Sequence, residues 1–202
     1  MKTILCFGDS NTFGYCPVDG SRYPENKRWT GLLKSKFNVL EEGLNNRVAF
    51  LKSPFGKNYS AIECFSSILD KYSNIDYIVI WIGTNDYQSI YNIDEKTIND
   101  CLKNLIFLAK QKADKVLIIS PLKLDDNILN GSFSSMFNKN SIEKSNMMFP
   151  LYEQIALENN CLFLDINKIV KPSKIDGLHY DLNSHYIIFE NIDRILSDSL
   201  EF

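Results

Sequence analysis

The run Asp76–Ile82, Asp-Tyr-Ile-Val-Ile-Trp-Ile, is apolar at almost every interior position. A strand with one wet face alternates apolar and polar residues. A strand that is apolar on successive residues is buried on both faces, as in a parallel sheet. Thr3–Phe7, Lys115–Ser120 and Cys161–Asp165 repeat the pattern, and Phe37–Leu40 repeats it more weakly. Parallel strands need long crossovers, usually helical. The stretches between these runs supply them. Apolar residues recur at i, i+3, i+4 and i+7 in Trp29–Lys36, Ala61–Tyr72, Glu95–Lys112, Asn146–Asn159 and Asn183–Leu200. The alternation predicts an α/β chain: a flavodoxin-like three-layer sandwich on a five-stranded parallel sheet in the order 2-1-3-4-5, with residues 1–202 as a single domain.

Composition excludes several classes. The chain is 45% hydrophobic and 23% charged, as a globular protein is. Lys plus Arg is 22 and Asp plus Glu is 25, a net charge of −3. That balance gives no electrostatic footprint for nucleic acid or for an anionic membrane surface. Cys6, Cys16, Cys64, Cys101 and Cys161 are odd in number and scattered without a paired motif, which fits free thiols in a reducing compartment. The first apolar run ends at Gly8, short of the roughly 7–15 residues of a secretion signal. The sequence therefore reads as cytoplasmic, without a membrane partner. Two histidines and no paired cysteines make no metal-ligand spacing, and neither a phosphate loop nor a dinucleotide fingerprint is present, so no cofactor is expected. Association with further copies of the same chain stays open.

In an open α/β sheet, ligands bind beyond the carboxyl ends of the strands. The residues at those ends are Gly8-Asp9-Ser10-Asn11, Glu41-Glu42-Gly43-Leu44-Asn45-Asn46 and Gly83-Thr84-Asn85-Asp86, joined before the last helix by Asp176-Gly177-Leu178-His179. A serine hydroxyl is a poor nucleophile until a base takes its proton. His179 is the candidate base for Ser10, and Asp176, three residues upstream, can reach back to one imidazole nitrogen and stabilise the imidazolium. Taken singly, Ser10 would read as a helix N-cap and Asn85 as a turn residue. The irregular segment Leu122–Lys144 follows the fourth strand, at the same edge, and is expected to be functional or disordered, with Met136 and Phe137 exposed.

These four blocks, in this order, resemble the SGNH (GDSL-type) hydrolases. Arg28-Trp29-Thr30-Gly31, Glu41-Glu42-Gly43-Leu44 and Asp176-Gly177-Leu178-His179 are most similar to the bacterial arylesterase/acyltransferase subgroup. The resemblance implies a serine esterase or acyltransferase acting on a small-molecule ester, with a deacetylase of acetylated carbohydrates as the enzymatic alternative and an idle binding domain as the non-enzymatic one. It implies an oxyanion hole from the backbone N–H of Ser10, a backbone N–H in the second block and the side-chain amide of Asn85. Many relatives carry a second glycine where this chain has Asn46, so that donor falls to Asn46, and Gly43 is expected to permit a tight turn. Asp9, Asn11, Thr84 and Trp29 are the substrate-binding candidates. Asp9 and Asp86 also suit helix-start or turn acids, and Trp29 a core position on its helix. His185 is expected to pack at the start of the last helix.

Overall fold

The computed structural model describes residues 1–198. Five strands, β1 (Thr3–Gly8), β2 (Asn38–Gly43), β3 (Tyr77–Trp81), β4 (Lys115–Ile119) and β5 (Leu162–Leu164), form one sheet in the order β2-β1-β3-β4-β5. All four pairings are parallel. The helices are α1 (Ser10–Phe13), α2 (Trp29–Leu32), α3 (Ala61–Leu69), α4 (Glu95–Lys110), α5 (Lys139–Glu158), α6 (Ile166–Ile169) and α7 (Leu182–Asp198). α2 and α6 each pack with α7, while α4 packs between α3 and α5. The expected class and strand order are those observed.

The continuous apolar runs are buried as their pattern requires. Every residue of β3 is buried, as is all of β1 after Thr3. Edge strand β2 differs: it is only half-buried and runs on through Glu41, Glu42 and Gly43, three residues beyond the predicted end. Its acids are accommodated because the strand has one free edge. The carboxylate of Glu41 takes a two-pronged hydrogen bond from the Arg28 guanidinium, at 2.9 and 2.7 Å, and Glu42 accepts from Tyr72 Oη at 2.7 Å. Burial opposes the charge on Glu41, yet Arg28, Thr30 and Arg22 hold its carboxyl down at about 2.

The long helix α5 departs from the periodicity at its start. α5 begins seven residues before the expected Asn146, capped by Asn138, whose side chain accepts from Ser141 N while the Ser141 hydroxyl accepts from Asn138 N. The apolar stripe alone misses this start because the first turns, Lys139 to Lys144, are mostly polar. The end of the expected Asn183–Leu200 helix lies outside the described residues; α7 is described to Asp198.

The chain leaves β1 to one side for β2, then crosses to the other side for β3. This is the topological switch point, where a crevice opens at the carboxyl ends of the strands. Gly8 pairs in register with both Gly43 and Trp81, so the residues that follow β1, β2 and β3 reach one rim together. Gly43 is required there for closeness rather than for a turn. It has no positive φ, but a Cβ would lie 2.3 Å from Phe13 N, so α1 lies directly against the end of β2.

Candidate active site

Ser10 is the first residue of α1, held at the crevice by a cap on the residue before it. Asp9 Oδ1 accepts from Asn11 N at 3.0 Å. Ser10 is thus neither the cap nor a free surface serine, and it is 7% exposed. Its Oγ lies 2.8 Å from His179 Nε2, and His179 Nδ1 lies 2.7 Å from Asp176 Oδ2. The other oxygen of Asp176 accepts from the backbone N–H groups of Leu178 and His179, at 2.9 and 3.0 Å. Burial opposes charge on Asp176, but the His179 ring and these two amides hold its carboxyl below the usual carboxylate range. The carboxylate therefore stays ionised and fixes one imidazole tautomer: Nδ1 carries the proton and Nε2 accepts from the serine hydroxyl.

Asn85 lies in a 3-10 turn (Thr84–Tyr87) just past β3. Its Nδ2 donates to the Arg47 carbonyl at 3.1 Å, leaving a second N–H on the same nitrogen. Asn46 has φ 62°, the left-handed conformation that asparagine tolerates better than most residues. Ser10, Asn46, Asn85 and His179 line one cavity of about 250 Å³, together with Tyr15, Asn45, Phe133, Met136, Phe137 and Leu178. The structure thus brings together Ser10, His179, Asp176, Asn85 and Asn46.

The four substrate-side candidates are placed elsewhere. Trp29 is fully buried, donates Nε1–H to the Asn11 carbonyl at 2.9 Å and packs on Trp81. Asn11 is turned inward, its Nδ2 3.4 Å from the Leu178 carbonyl, tying α1 to the His179 loop. Thr84 is buried within its turn. Asp9 lies below the serine, and burial pushes its carboxyl up to about 7. None of the four lines the cavity: Asp9 and Asn11 are buried with the short α1, Trp29 starts the buried α2, and Thr84 is buried in the turn after β3. Asp86 does not brace its own turn as expected: its carboxyl oxygens accept from Ala49 N and Phe50 N of the segment after β2, at 2.6 and 2.9 Å, and burial pushes the group up to about 7.

Sequence reasoning missed the walls. The Tyr15 ring lies over the His179 imidazole, with centroids 4.1 Å apart, and Phe133 meets the same imidazole edge-on at 5.3 Å. Phe133, Met136 and Phe137 come from the segment expected to be a functional or disordered loop. It is packed rather than loose. Ile128 and Phe137 are buried, Met136 is half-buried, and Ser89 N donates to the Met136 carbonyl at 2.8 Å. A Cβ on Gly131 would lie 2.6 Å from the Asp176 carbonyl oxygen, so this wall rests directly on the turn that carries the acid. The length of the segment and its place after β4 were the available signal.

His185 is buried beneath the site, where its Nδ1 accepts from Trp29 N at 3.4 Å. Burial pushes the imidazole down to about 4 from 6.5. Because the folded value lies below the unfolded one, this group's contribution to stability is present above about pH 6.5 and lost as pH falls toward 4. His185→Asn keeps an acceptor without a titrating ring. Its stability, measured by denaturant unfolding, should fall less than that of the parent across this window, by up to about 3 kcal/mol. Equal acid losses in the two proteins would show that His185 does not carry the effect.

Among the described residues, no cluster of three or more His, Cys, Asp or Glu is placed to hold a metal, and no helix is long and apolar enough to cross a membrane.

A parallel sheet that presents a serine, a histidine and a buried carboxylate in one hydrogen-bonded line beside an amide-lined cavity has the build of a serine ester hydrolase. Comparison with known proteins agrees: residues 6–186 match the model of the GDSL-like lipase/acylhydrolase family, and the chain belongs to that family. The aryl esterase of M. smegmatis is 25% identical with a TM-score of 0.87, over 98% of this chain and 99% of that one. A carbohydrate acetylesterase from Sinorhizobium meliloti is 26% identical with a TM-score of 0.85, over the full length of both chains. No curated protein sequence matches the chain significantly.

Proposed function

We propose that the protein hydrolyses small carboxylic esters through an acyl-enzyme on Ser10. The observation that carries this is the line Ser10 Oγ–His179 Nε2–Asp176, with distances of 2.8 and 2.7 Å. Ser10 Oγ attacks the ester carbonyl carbon as its proton passes to His179 Nε2. The imidazolium is stabilised by Asp176 through Nδ1–H. The carbonyl oxygen, now negative, is met by the backbone N–H of Ser10, the second side-chain N–H of Asn85 and the backbone N–H of Asn46. Collapse of the tetrahedral intermediate breaks the bond to the alcohol, which leaves with the proton from Nε2. Water, deprotonated by the same nitrogen, then releases the acid. Another alcohol in place of water would make the reaction an acyl transfer.

The cavity walls favour esters with a compact apolar group. Phe133, Met136, Phe137 and Leu178, with the Tyr15 ring, make the wall more apolar than polar, and the amides of Asn45, Asn46 and Asn85 are its polar part beside Ser10 and His179. The likeness to a carbohydrate acetylesterase supports the second reading, removal of acetyl groups from sugars by the same residues. A panel of p-nitrophenyl esters and acetylated monosaccharides separates the two. We expect kcat/KM for the aryl acetate to exceed that for acetylated sugars about tenfold or more, and to fall as the acyl chain outgrows about 250 Å³. A preference for the sugars would select the second reading, and no turnover of any ester would overturn both.

A further inference from the structure

Gln88 follows the Asn85 turn and touches no expected site residue in sequence, yet it is 2% exposed and bonded at both ends. Its carbonyl accepts from Lys144 Nζ at 3.3 Å and from Tyr91 N at 3.0 Å. Its side-chain Nε2 lies 2.8 Å from Asn46 Oδ1 and 3.1 Å from Asn85 Oδ1. The polarity of this chain of amides follows from its one unambiguous member. The Arg47 backbone carbonyl can only accept, so the Asn85 end facing it is the NH₂. Asn85 therefore turns Oδ1 toward Gln88, Gln88 must answer with its own NH₂, and Asn46 must present Oδ1 to the remaining N–H. Both asparagines line the cavity beside Ser10. Asn85 flipped end for end would place an acceptor where the oxyanion forms.

We propose that Gln88 is a positioning residue: its side-chain NH₂, shared between Asn46 Oδ1 and Asn85 Oδ1, sets which way the Asn85 amide faces, keeps its donor toward the oxyanion, and ties down the residue whose backbone N–H is the second donor. Arg47 anchors the other end of the chain. Its guanidinium donates to the carbonyls of Gly8 at 2.9 Å and Asn58 at 3.0 Å, so the carbonyl that reads Asn85 is fixed to the end of β1. The inference deepens the proposed function, since it rests on Asn85 as an oxyanion donor. A packing role for Gln88 would show in stability. A positioning role shows in kcat, because a neutral ester gains less than the oxyanion from a correctly turned amide.

The test uses Gln88→Met, which keeps length but loses the donor, and Gln88→Glu, which keeps shape but sets a carboxylate against two amide oxygens. Each is made in the parent and in Asn85→Ala, with kcat expressed per Ser10 titrated by an organophosphonate so that unfolded protein does not count. In the parent, Gln88→Met should lower kcat about tenfold and Gln88→Glu about a hundredfold, with KM within about twofold. In Asn85→Ala, itself lowered about 10²–10³-fold, either replacement should cost no more than about threefold, the part carried by Asn46. Equal losses in both backgrounds, or parental kcat in both Gln88 variants, overturn the inference alone. Parental kcat in Asn85→Ala overturns the oxyanion reading and the inference with it.

Discussion

Replacing Ser10 by Ala lowers kcat by about a millionfold, the scale seen when a nucleophile that works as a unit with its base is removed. The expectation follows from the geometry. His179 Nε2 has Ser10 Oγ as its partner at 2.8 Å, and no other hydroxyl is bonded to that nitrogen among the described residues. Alanine leaves the base, the acid and the oxyanion donors in place, so the residue of activity is what binding and the oxyanion site supply. The fold should persist, since Oγ is a rim atom and the capping bond belongs to Asp9. An organophosphonate should label one residue of the parent, and mass spectrometry of Ser10→Ala should find no adduct. Esterase activity surviving in folded Ser10→Ala would move the nucleophile elsewhere.

The second large effect is expected at Asp176, and there the loss is of orientation. Asp176→Asn can keep Oδ1 as acceptor for Leu178 N and His179 N, the two bonds that shape the turn. What then faces His179 Nδ1 is an NH₂ in place of a carboxylate oxygen. The ring must accept there, which puts its proton on Nε2, where it donates to Ser10 and can no longer take the serine's proton. A drop in kcat of about 10⁴ is expected, with the melting temperature nearly unchanged. Kinetics and thermal unfolding of this one variant decide the matter. Near-parental kcat would mean that the Asp176 carboxylate only builds the turn.

How far the sequence could be read depends on what kind of fact each residue encodes. β1, β3 and β4 were legible because burial on both faces leaves an apolar run with no other common reading. β2 was cut short because Glu41 and Glu42 look like loop residues until Arg28 and Tyr72 are seen beside them. Ser10, Asn85, Asp176 and His179 were legible because their chemistry is bound to residue type and to strand ends. Trp29 was ambiguous in sequence, since an aromatic on a short helix suits a pocket or a core, and the Asn11 carbonyl decides for the core. Tyr15 and Phe133 left no local mark at all, for they meet His179 only through the fold. Gln88 was silent for a further reason: its partners lie 3 and 42 residues away, and the meaning of its amide depends on a carbonyl it never touches.

The packing of Gly131 against the backbone of Asp176 has a consequence for how such an enzyme can diversify. A specificity wall built as a free-standing loop can be exchanged like a cartridge while the chemistry stays put. Here the wall and the acid's turn share one seam, closed on the far side by Gly177 at φ 68°, where a Cβ would lie 2.7 Å from Ile128 N. Any insertion that widens the pocket by lifting this segment also loosens the footing of the carboxylate. New substrates are therefore reached most safely by trading side chains at Phe133, Met136 and Phe137 on an unaltered backbone. Grafts that change the length of the segment should broaden specificity only with a matching decline in turnover on every ester.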